Sequence, residues 1–190
     1  MSDEKRAAEA AASKSLHLRR HPTTPAPPIG SLAVSLQRQP GHRLRLRYRL
    51  DMALEHVTWP GPAEPDRTDN LWQSTCCELF LRRPGADAYA ECNFSPSSQW
   101  AAYRFDDVRT GMAMLEMAPP HIALDTGERH VALEAIVTLP HEWQDSALDI
   151  ALSAVIETTG PVKSYWALAH PADRPDFHHP GSFTLRLPTP

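Results

Sequence analysis

The stretch over residues 69–105 constrains the fold of this chain more than any other part of the sequence. Its side chains alternate with a period of two, which is typical of a β-strand rather than a helix. The first strand has two faces, with Cys77, Leu79 and Leu81 on one and Cys76, Glu78 and Phe80 on the other. Pro84-Gly85 then marks a turn, and Tyr89 to Phe94 returns antiparallel. The stretch therefore predicts a β-hairpin followed by a third strand.

Alternating patterns continue through most of the chain after residue 30. They are clearest where arginines alternate with apolar side chains: Arg43, Arg45, Arg47 and Arg49 against Leu44, Leu46, Tyr48 and Leu50. The 190 residues include 19 prolines, which interrupt helices and central strands and so favour many short elements. We therefore predict an all-β protein, an antiparallel two-sheet β-sandwich of jelly-roll-like form with about nine to eleven strands.

The length of the chain indicates one domain, because 190 residues bury a core without disulfide staples. Residues 1–15 are charged and alanine-rich and have no amphipathic stripe. We predict a disordered tail or a frayed helix there. The β-sandwich domain then covers residues 16–190.

The overall charge disfavours several classes of partner. The formal net charge of −4 disfavours binding to nucleic acid and to anionic membranes, and no run of about 18 apolar residues is present to span a bilayer.

We interpret the row of arginines from Arg43 to Arg49 as a solvated strand face balanced by acidic neighbours, with an anion-binding surface as the alternative. The three cysteines do not suit a secreted disulfide framework, and the N-terminus lacks a signal-peptide pattern, so we expect a cytoplasmic protein.

The segment from Trp72 to Phe80, WQSTCCELF, resembles the Trp-x-x-Asp-x-x-Glu-x-Phe strand of carbohydrate-binding module family nine and the related DOMON-like domains. Three later segments resemble the closing part of the same group: Ser164-Tyr165-Trp166, Asp176-Phe177-His178 and Phe183-Thr184-Leu185. Thr75 stands where the pattern has Asp. The resemblance covers residues from about 69 to 187 and implies a β-sandwich that binds carbohydrate.

The resemblance also implies a saccharide site built on two tryptophans. In family-nine modules, tryptophans at the places of Trp72 and Trp166 clamp a terminal sugar, since an indole ring suits the C–H face of a sugar; core packing is the alternative for both rings. We expect Glu78, Asn93 and Arg104 to hydrogen-bond the hydroxyl groups of the ligand. The predicted function is a non-catalytic domain that binds a saccharide or a similar polar small molecule, with no resident cofactor or metal ion.

Two other functions remain open at this point. The DOMON relatives include haem-binding electron-transfer domains, in which Met and His hold the iron, and this chain has 5 methionines and 10 histidines. A protein-interaction module is the other alternative, and it requires an exposed apolar patch around Trp59 and Trp72 without a concave pocket.

Carboxylates raise two further possibilities. Glu78 and Glu91 lie on strands that we expect to pair, and two carboxyl groups are what a glycoside hydrolase needs. Hydrogen bonds to ligand hydroxyl groups, or pairing with arginines, account for them better, so we do not predict an enzyme. Asp173 and Asp176 are candidate calcium ligands by the same resemblance, although a polar loop explains their segment better.

Overall fold

The computed structural model describes residues 15–27, 29–52, 54–160 and 162–190, and the statements below refer to these ranges. They contain no α-helix and thirteen strands: β1 (Ser15–His17), β2 (Arg19–Arg20), β3 (Ile29–Gln39), β4 (Arg43–Met52), β5 (Cys76–Arg82), β6 (Tyr89–Phe94), β7 (Trp100–Phe105), β8 (Ala113–Met114), β9 (His121–Gly127), β10 (His130–Thr138), β11 (Leu148–Thr158), β12 (Val162–Ala167) and β13 (Leu185–Leu187). Four 3-10 turns lie at Leu54–His56, Leu71–Gln73, His141–Trp143 and Pro180–Ser182. No helix in the described ranges is long and apolar enough to cross a membrane.

The strands form two antiparallel sheets, which confirms the predicted all-β sandwich. The first sheet has five strands in the order β1-β3-β4-β10-β9, and the second has eight, in the order β2-β12-β11-β5-β6-β7-β8 with β13 also paired to β11. Four of the thirteen strands were not predicted from the sequence. β1, β2 and β8 have only two or three residues, too few to show a period, and β9 is largely exposed on both faces. Residues 1–14 of the predicted tail lie outside the described ranges.

The core lies between the two sheets and follows the alternation of the sequence. The apolar positions of β4 are buried, and the hydroxyl of Tyr48 donates a hydrogen bond of 2.6 Å to the main-chain oxygen of Glu78 in the opposite sheet. The arginines of β4 point to solvent, where Arg45 pairs with Glu134 and Arg47 with Asp125, each at 2.6 Å. The interpretation of a solvated, charge-balanced face is therefore confirmed.

The predicted hairpin is also present and presents its polar face away from that core. Gly85 has a φ of +76° in the turn, a conformation that glycine adopts without strain. β5 pairs with β6 so that Glu78 lies opposite Asn93, and Phe80 lies opposite Glu91. Side chains of this parity, on the outer face of the eight-stranded sheet, form a second cluster with loops that cross over it. This second layer holds the candidate site.

Candidate ligand-binding site

A cavity of about 550 Å³ lies on the outer face of the eight-stranded sheet. Its floor comes from β5, β6, β7, β11 and β12, and its walls come from the chain before β5, after β7 and after β12. Aromatic and ionisable side chains dominate its lining: Trp72, Tyr103, Phe105, Tyr165 and Phe177, together with Asp69, Glu78, Glu91, Arg109 and His178. Apolar walls with a few convergent polar groups, at this volume, are typical of a small-molecule site.

Trp72 forms the exposed rim of the cavity. It lies in the 3-10 turn Leu71–Gln73, and its side chain is 48% exposed although it lines the cavity. Asn70 precedes the turn with a φ of +64°, a left-handed conformation that asparagine tolerates better than most residues. A large indole left open to solvent at the mouth of a cavity is available to a ligand.

Tyr103 anchors the aromatic floor. Its hydroxyl donates a 2.6 Å hydrogen bond to Oδ1 of Asp69, which belongs to the loop before Trp72. Burial, and then the hydrogen bond and charge of Asp69, raise the pKa of Tyr103, so the phenol remains protonated. The bond thereby ties the rim loop to the sheet.

Glu78 and Glu91 place two carboxyl groups in the cavity, and both are almost fully buried. They are 2% and 6% exposed, respectively. Ser153 donates a hydrogen bond of 2.9 Å to Oε2 of Glu78, and Nδ2 of Asn93 donates one of 2.8 Å to Oε1 of Glu91. Burial raises the pKa of Glu78 to about 8, and the charge of Glu91 adds to this rise. Burial also raises the pKa of Glu91, against the hydrogen bond from Asn93 and the charge of Arg109.

A hydrogen-bonded chain fixes the ring of His178 beside this pair. The main-chain N–H of Arg109 donates to the hydroxyl of Tyr89 at 3.2 Å, and that hydroxyl lies 2.7 Å from Nδ1 of His178. With the hydroxyl as the donor to Nδ1, the ring proton lies on Nε2, which is 3.6 Å from Oε2 of Glu91. Burial, and then the charge of Arg109, lower the pKa of His178 to about 4, so the imidazole is neutral at ordinary pH.

Arg109 brings a positive charge to the cavity wall. Its guanidinium donates to Oδ1 of Asp176 at 2.8 Å, and this ion pair joins the loop after β7 to the loop after β12. The residue has a φ of +54°, and nearby Gly111 has a φ of +66°. The left-handed φ of Gly111 favours glycine, and a Cβ there would force the side chain of Asp106 to move.

Trp166 does not reach the cavity, and the expectation that it faces Trp72 across a cleft is wrong. Trp166 is 9% exposed and packs in the core between the sheets, where its Nε1 donates to Oγ of Ser164 at 2.9 Å. Neighbouring side chains of a strand point to opposite faces, and it is Tyr165 that faces outward into the cavity. Core packing, the alternative weighed for this ring, is what the structure shows.

Two of the expected hydrogen-bonding residues also lie away from the cavity lining. Arg104 is exposed and shares the parity of Trp100 and Ala102, whose side chains pack in the inter-sheet core, so it points away from the cavity. Its expected role is therefore wrong. Asn93 is fully buried beneath the cavity, and it contacts Glu91 instead of the open space. Asn93 therefore holds the lining residue Glu91 in place through a hydrogen bond.

Thr75 is tied to the main chain. Its hydroxyl donates to the oxygen of Thr58 at 2.8 Å and accepts from the N–H of Glu157 at 3.1 Å. The side chain thus joins the start of β5 to neighbouring segments. It does not stand in for the missing carboxylate of the family pattern at the cavity.

Sequence reasoning placed Trp72 and Glu78 at what proves to be the cavity, and it missed most of the other lining residues. Tyr165, Phe177 and His178 occur in the segments that resemble the family, but only Trp166 was selected there. Arg109 lies in an irregular loop with no motif. A signal was present for Tyr103. It shares one face of β7 with Ala101 and Phe105, and its hydroxyl is a polar group on a face that is otherwise apolar.

The residues of the cavity do not fit haem ligation as they stand. Met112 and His178 are of the required types and both line the cavity. However, Nδ1 of His178 is bonded to Tyr89, and Nε2 faces Glu91, so neither nitrogen is presented to a ligand. Haem binding remains a prediction that a visible spectrum of haem-supplemented protein tests, and a missing Soret band would remove it.

No calcium site is apparent around the predicted acidic pair. Within the described ranges, no group of three or more His, Cys, Asp or Glu side chains is arranged to hold a metal ion. Asp176 is engaged by Arg109. A calcium site that uses Asp173 and Asp176 stays a prediction, which a binding measurement tests.

Comparison with solved structures shows which fold this is. The chain is similar to a candidate carbohydrate-binding protein from Bacteroides uniformis, with a TM-score of 0.66 and 14% identity over 95% of this chain and 88% of that chain. It is also similar to a family-nine carbohydrate-binding module from Caldicellulosiruptor kristjanssonii in complex with cellotriose, with a TM-score of 0.53 and 10% identity over 83% and 73% of the two chains. The fold is that of the family-nine modules.

The same Caldicellulosiruptor module in complex with glucose gives a TM-score of 0.52 and 10% identity over 88% of this chain and 78% of that chain. No protein-family model matches the sequence, and no curated protein is similar to it. The resemblance seen in the sequence is therefore confirmed at the level of the fold. The DOMON part of that resemblance stays a prediction.

Proposed function

We propose that this protein is a non-catalytic saccharide-binding domain whose ligand occupies the cavity beside Trp72. The observation that carries the proposal is the lining of that cavity, in which an exposed indole and an aromatic floor surround buried carboxyl groups. Sugar rings have apolar C–H faces and hydroxyl edges, and such a lining offers partners to both. The shared fold with modules that hold glucose and cellotriose supports the same conclusion.

The lining residues divide into two roles. Trp72 stacks on a sugar ring at the rim, and Tyr165 and Phe177 present further aromatic surface inside. Glu78 and Glu91 bind ligand hydroxyl groups, because carboxyl groups form strong hydrogen bonds in a site shielded from water. Tyr165 and Phe177 thus provide the second aromatic surface for the sugar, a role that the sequence resemblance assigned to Trp166.

The placement of the two glutamates supports binding rather than hydrolysis. Glu78 and Glu91 come from adjacent strands and lie on the same face of one sheet. A glycoside hydrolase needs two carboxyl groups on opposite sides of the scissile bond. Since both glutamates reach the ligand from the floor, they suit hydrogen bonding to one side of a sugar.

Isothermal titration calorimetry with glucose and cellotriose tests the proposal. We expect saturable binding by the unmodified protein and at least about a fivefold loss of affinity in Trp72→Ala, since stacking by an aromatic ring contributes on the order of 1 kcal/mol. Leu124→Ala is the matched control, because Leu124 is an equally exposed apolar side chain (44%) on the other sheet. Absence of binding, or equal losses in both variants, would remove the proposal.

A further inference from the structure

The lining of the cavity holds more acidic than basic groups. Asp69, Glu78 and Glu91 are acidic, whereas Arg109 is the only arginine or lysine that lines it among the described residues. The charge of Arg109 is already matched by Asp176 at 2.8 Å. His178 adds no positive charge at ordinary pH, because burial keeps the ring neutral.

The acidic groups are not fully satisfied by the protein. Asp69 accepts from Tyr103, and one oxygen of each glutamate accepts from Ser153 or Asn93. Within the described ranges, no donor reaches Oε1 of Glu78, although this side chain is 2% exposed and lines the cavity. Oε2 of Glu91 has only Nε2 of His178 at 3.6 Å, beyond hydrogen-bonding distance. Among the described residues, the buried side-chain polar atoms without a partner are Nε of Arg38 and Nε of Arg82. The free oxygens of the two glutamates are therefore open to the cavity, where an ammonium group offers them charged donors.

The aromatic lining favours the same kind of ligand. Trp72, Tyr103 and Tyr165 line the same cavity as the two carboxyl groups. Aromatic faces attract cations because of the negative charge above and below the ring, and the attraction is strongest where water is excluded. A neutral ligand uses these rings only through its apolar faces.

We propose that the preferred ligand is a saccharide with a free amine, whose ammonium group binds between Glu78 and Glu91. This inference rests on the saccharide function proposed above and narrows its ligand class to amino sugars. Hydrogen bonds between ionised groups are about twice as strong as those between neutral groups. An ammonium group supplies three donors, enough to reach the free oxygens of both glutamates and a hydroxyl or water.

Calorimetry with three monosaccharides tests this inference: glucosamine, N-acetylglucosamine and glucose, near neutral pH. We expect glucosamine to bind at least about tenfold more tightly than glucose, which corresponds to one additional charged hydrogen bond. N-acetylglucosamine has the same ring and position but a neutral amide, so we expect it to lack this advantage.

Isosteric variants locate the preference. In Glu78→Gln and Glu91→Gln, the ratio of glucosamine affinity to glucose affinity should fall at least about fivefold, because a glutamine cannot ionise to pair with the ammonium group. Asp125→Asn is the control: it removes a charge from the solvent side of the other sheet, and its ratio should remain that of the unmodified protein. Thermal unfolding verifies that each variant is folded.

The outcomes separate the two proposals. Glucose binding that equals or exceeds glucosamine binding overturns the amino-sugar inference and leaves the saccharide function in place. A glucosamine preference that persists in both glutamine variants also overturns the inference. Binding of none of the three sugars, nor of cellotriose, removes the saccharide function and the inference with it.

Discussion

The guanidinium of Arg109 lies 2.8 Å from the carboxylate of Asp176, and this ion pair directly joins two loops that wall the cavity. Arg109 lines the cavity, and Asp176 lies between the lining residues Pro175 and Phe177, so the pair helps to hold those walls. Burial raises the pKa values of Glu78 and Glu91, and the charge of Arg109 opposes that rise. Loop order and site electrostatics therefore depend on the same side chain.

Asp176→Asn should loosen the two loops and leave the sheets intact. The asparagine oxygen still accepts from the N–H of His178, so only the charge of the pair is lost. The pair is partly exposed, and its loss should cost no more than about 1 kcal/mol of unfolding free energy. We expect faster amide hydrogen exchange in residues 106–112 and 173–178 and unchanged exchange in β5 and β6. Unchanged loop exchange, or the same result in Asp125→Asn, would contradict this role.

Glu78→Gln should reduce the loss of stability that accompanies a rise in pH from about 4.5 to about 8. The folded protein holds the Glu78 proton up to about pH 8, whereas the unfolded chain releases it near the ordinary value of 4.5. The stability that this group contributes is present below that ordinary value and is lost as the pH rises through about 8. Near pH 7 this group lowers the free energy of unfolding by about 1.4 kcal/mol for each unit of rise in pH. Urea unfolding from slightly acidic to slightly alkaline pH should show a shallower decline in the variant; equal slopes would refute the assignment.

His178 should titrate far below an ordinary histidine. Its pKa in the folded protein is about 4, so between that value and the ordinary 6.5 the unfolded chain binds a proton that the folded chain does not. Its contribution to stability is therefore present above pH 6.5 and is lost as the pH falls through about 4. Because Glu78 acts in the opposite sense over part of this range, the ring itself is the better probe. An NMR midpoint for His178 near 6.5 would contradict the buried, neutral ring.

The two tryptophans should separate stability from binding. Trp166→Ala removes a ring from the core and should cost about 3–5 kcal/mol of unfolding free energy. Trp72→Ala removes an exposed ring at the rim and should change that free energy by no more than about 0.5 kcal/mol. Urea unfolding of both variants measures the difference. Similar costs for the two substitutions would contradict the placement of one of the rings.

The fold followed from the sequence because alternation records burial directly. In β4, the apolar side chains are buried and each arginine faces solvent. In β5, Glu78 and Leu79 likewise lie on opposite faces of the strand. These patterns required no knowledge of the partner strand. Strands of two or three residues, such as β1, carry too few positions to show the pattern.

The site could be predicted only in part, because it depends on register and on loops. Tyr165 and Trp166 are adjacent, and which ring faces outward depends on a single step of register that the segment does not reveal. His178 and Arg109 lie on loops far apart in sequence, and their approach to Glu91 depends on how those loops cross the sheet. Trp72 was located because a motif marked the start of its strand.

Fluorine NMR of 5-fluorotryptophan-labelled protein tests the central claim most directly. The chain has 5 tryptophans, and single Trp→Phe variants assign their signals. On titration with glucose or glucosamine, we predict a saturable shift of the Trp72 signal and a nearly constant Trp166 signal, because only Trp72 borders the cavity. A Trp72 signal that does not respond to a bound sugar, or a larger response from Trp166, would contradict the account.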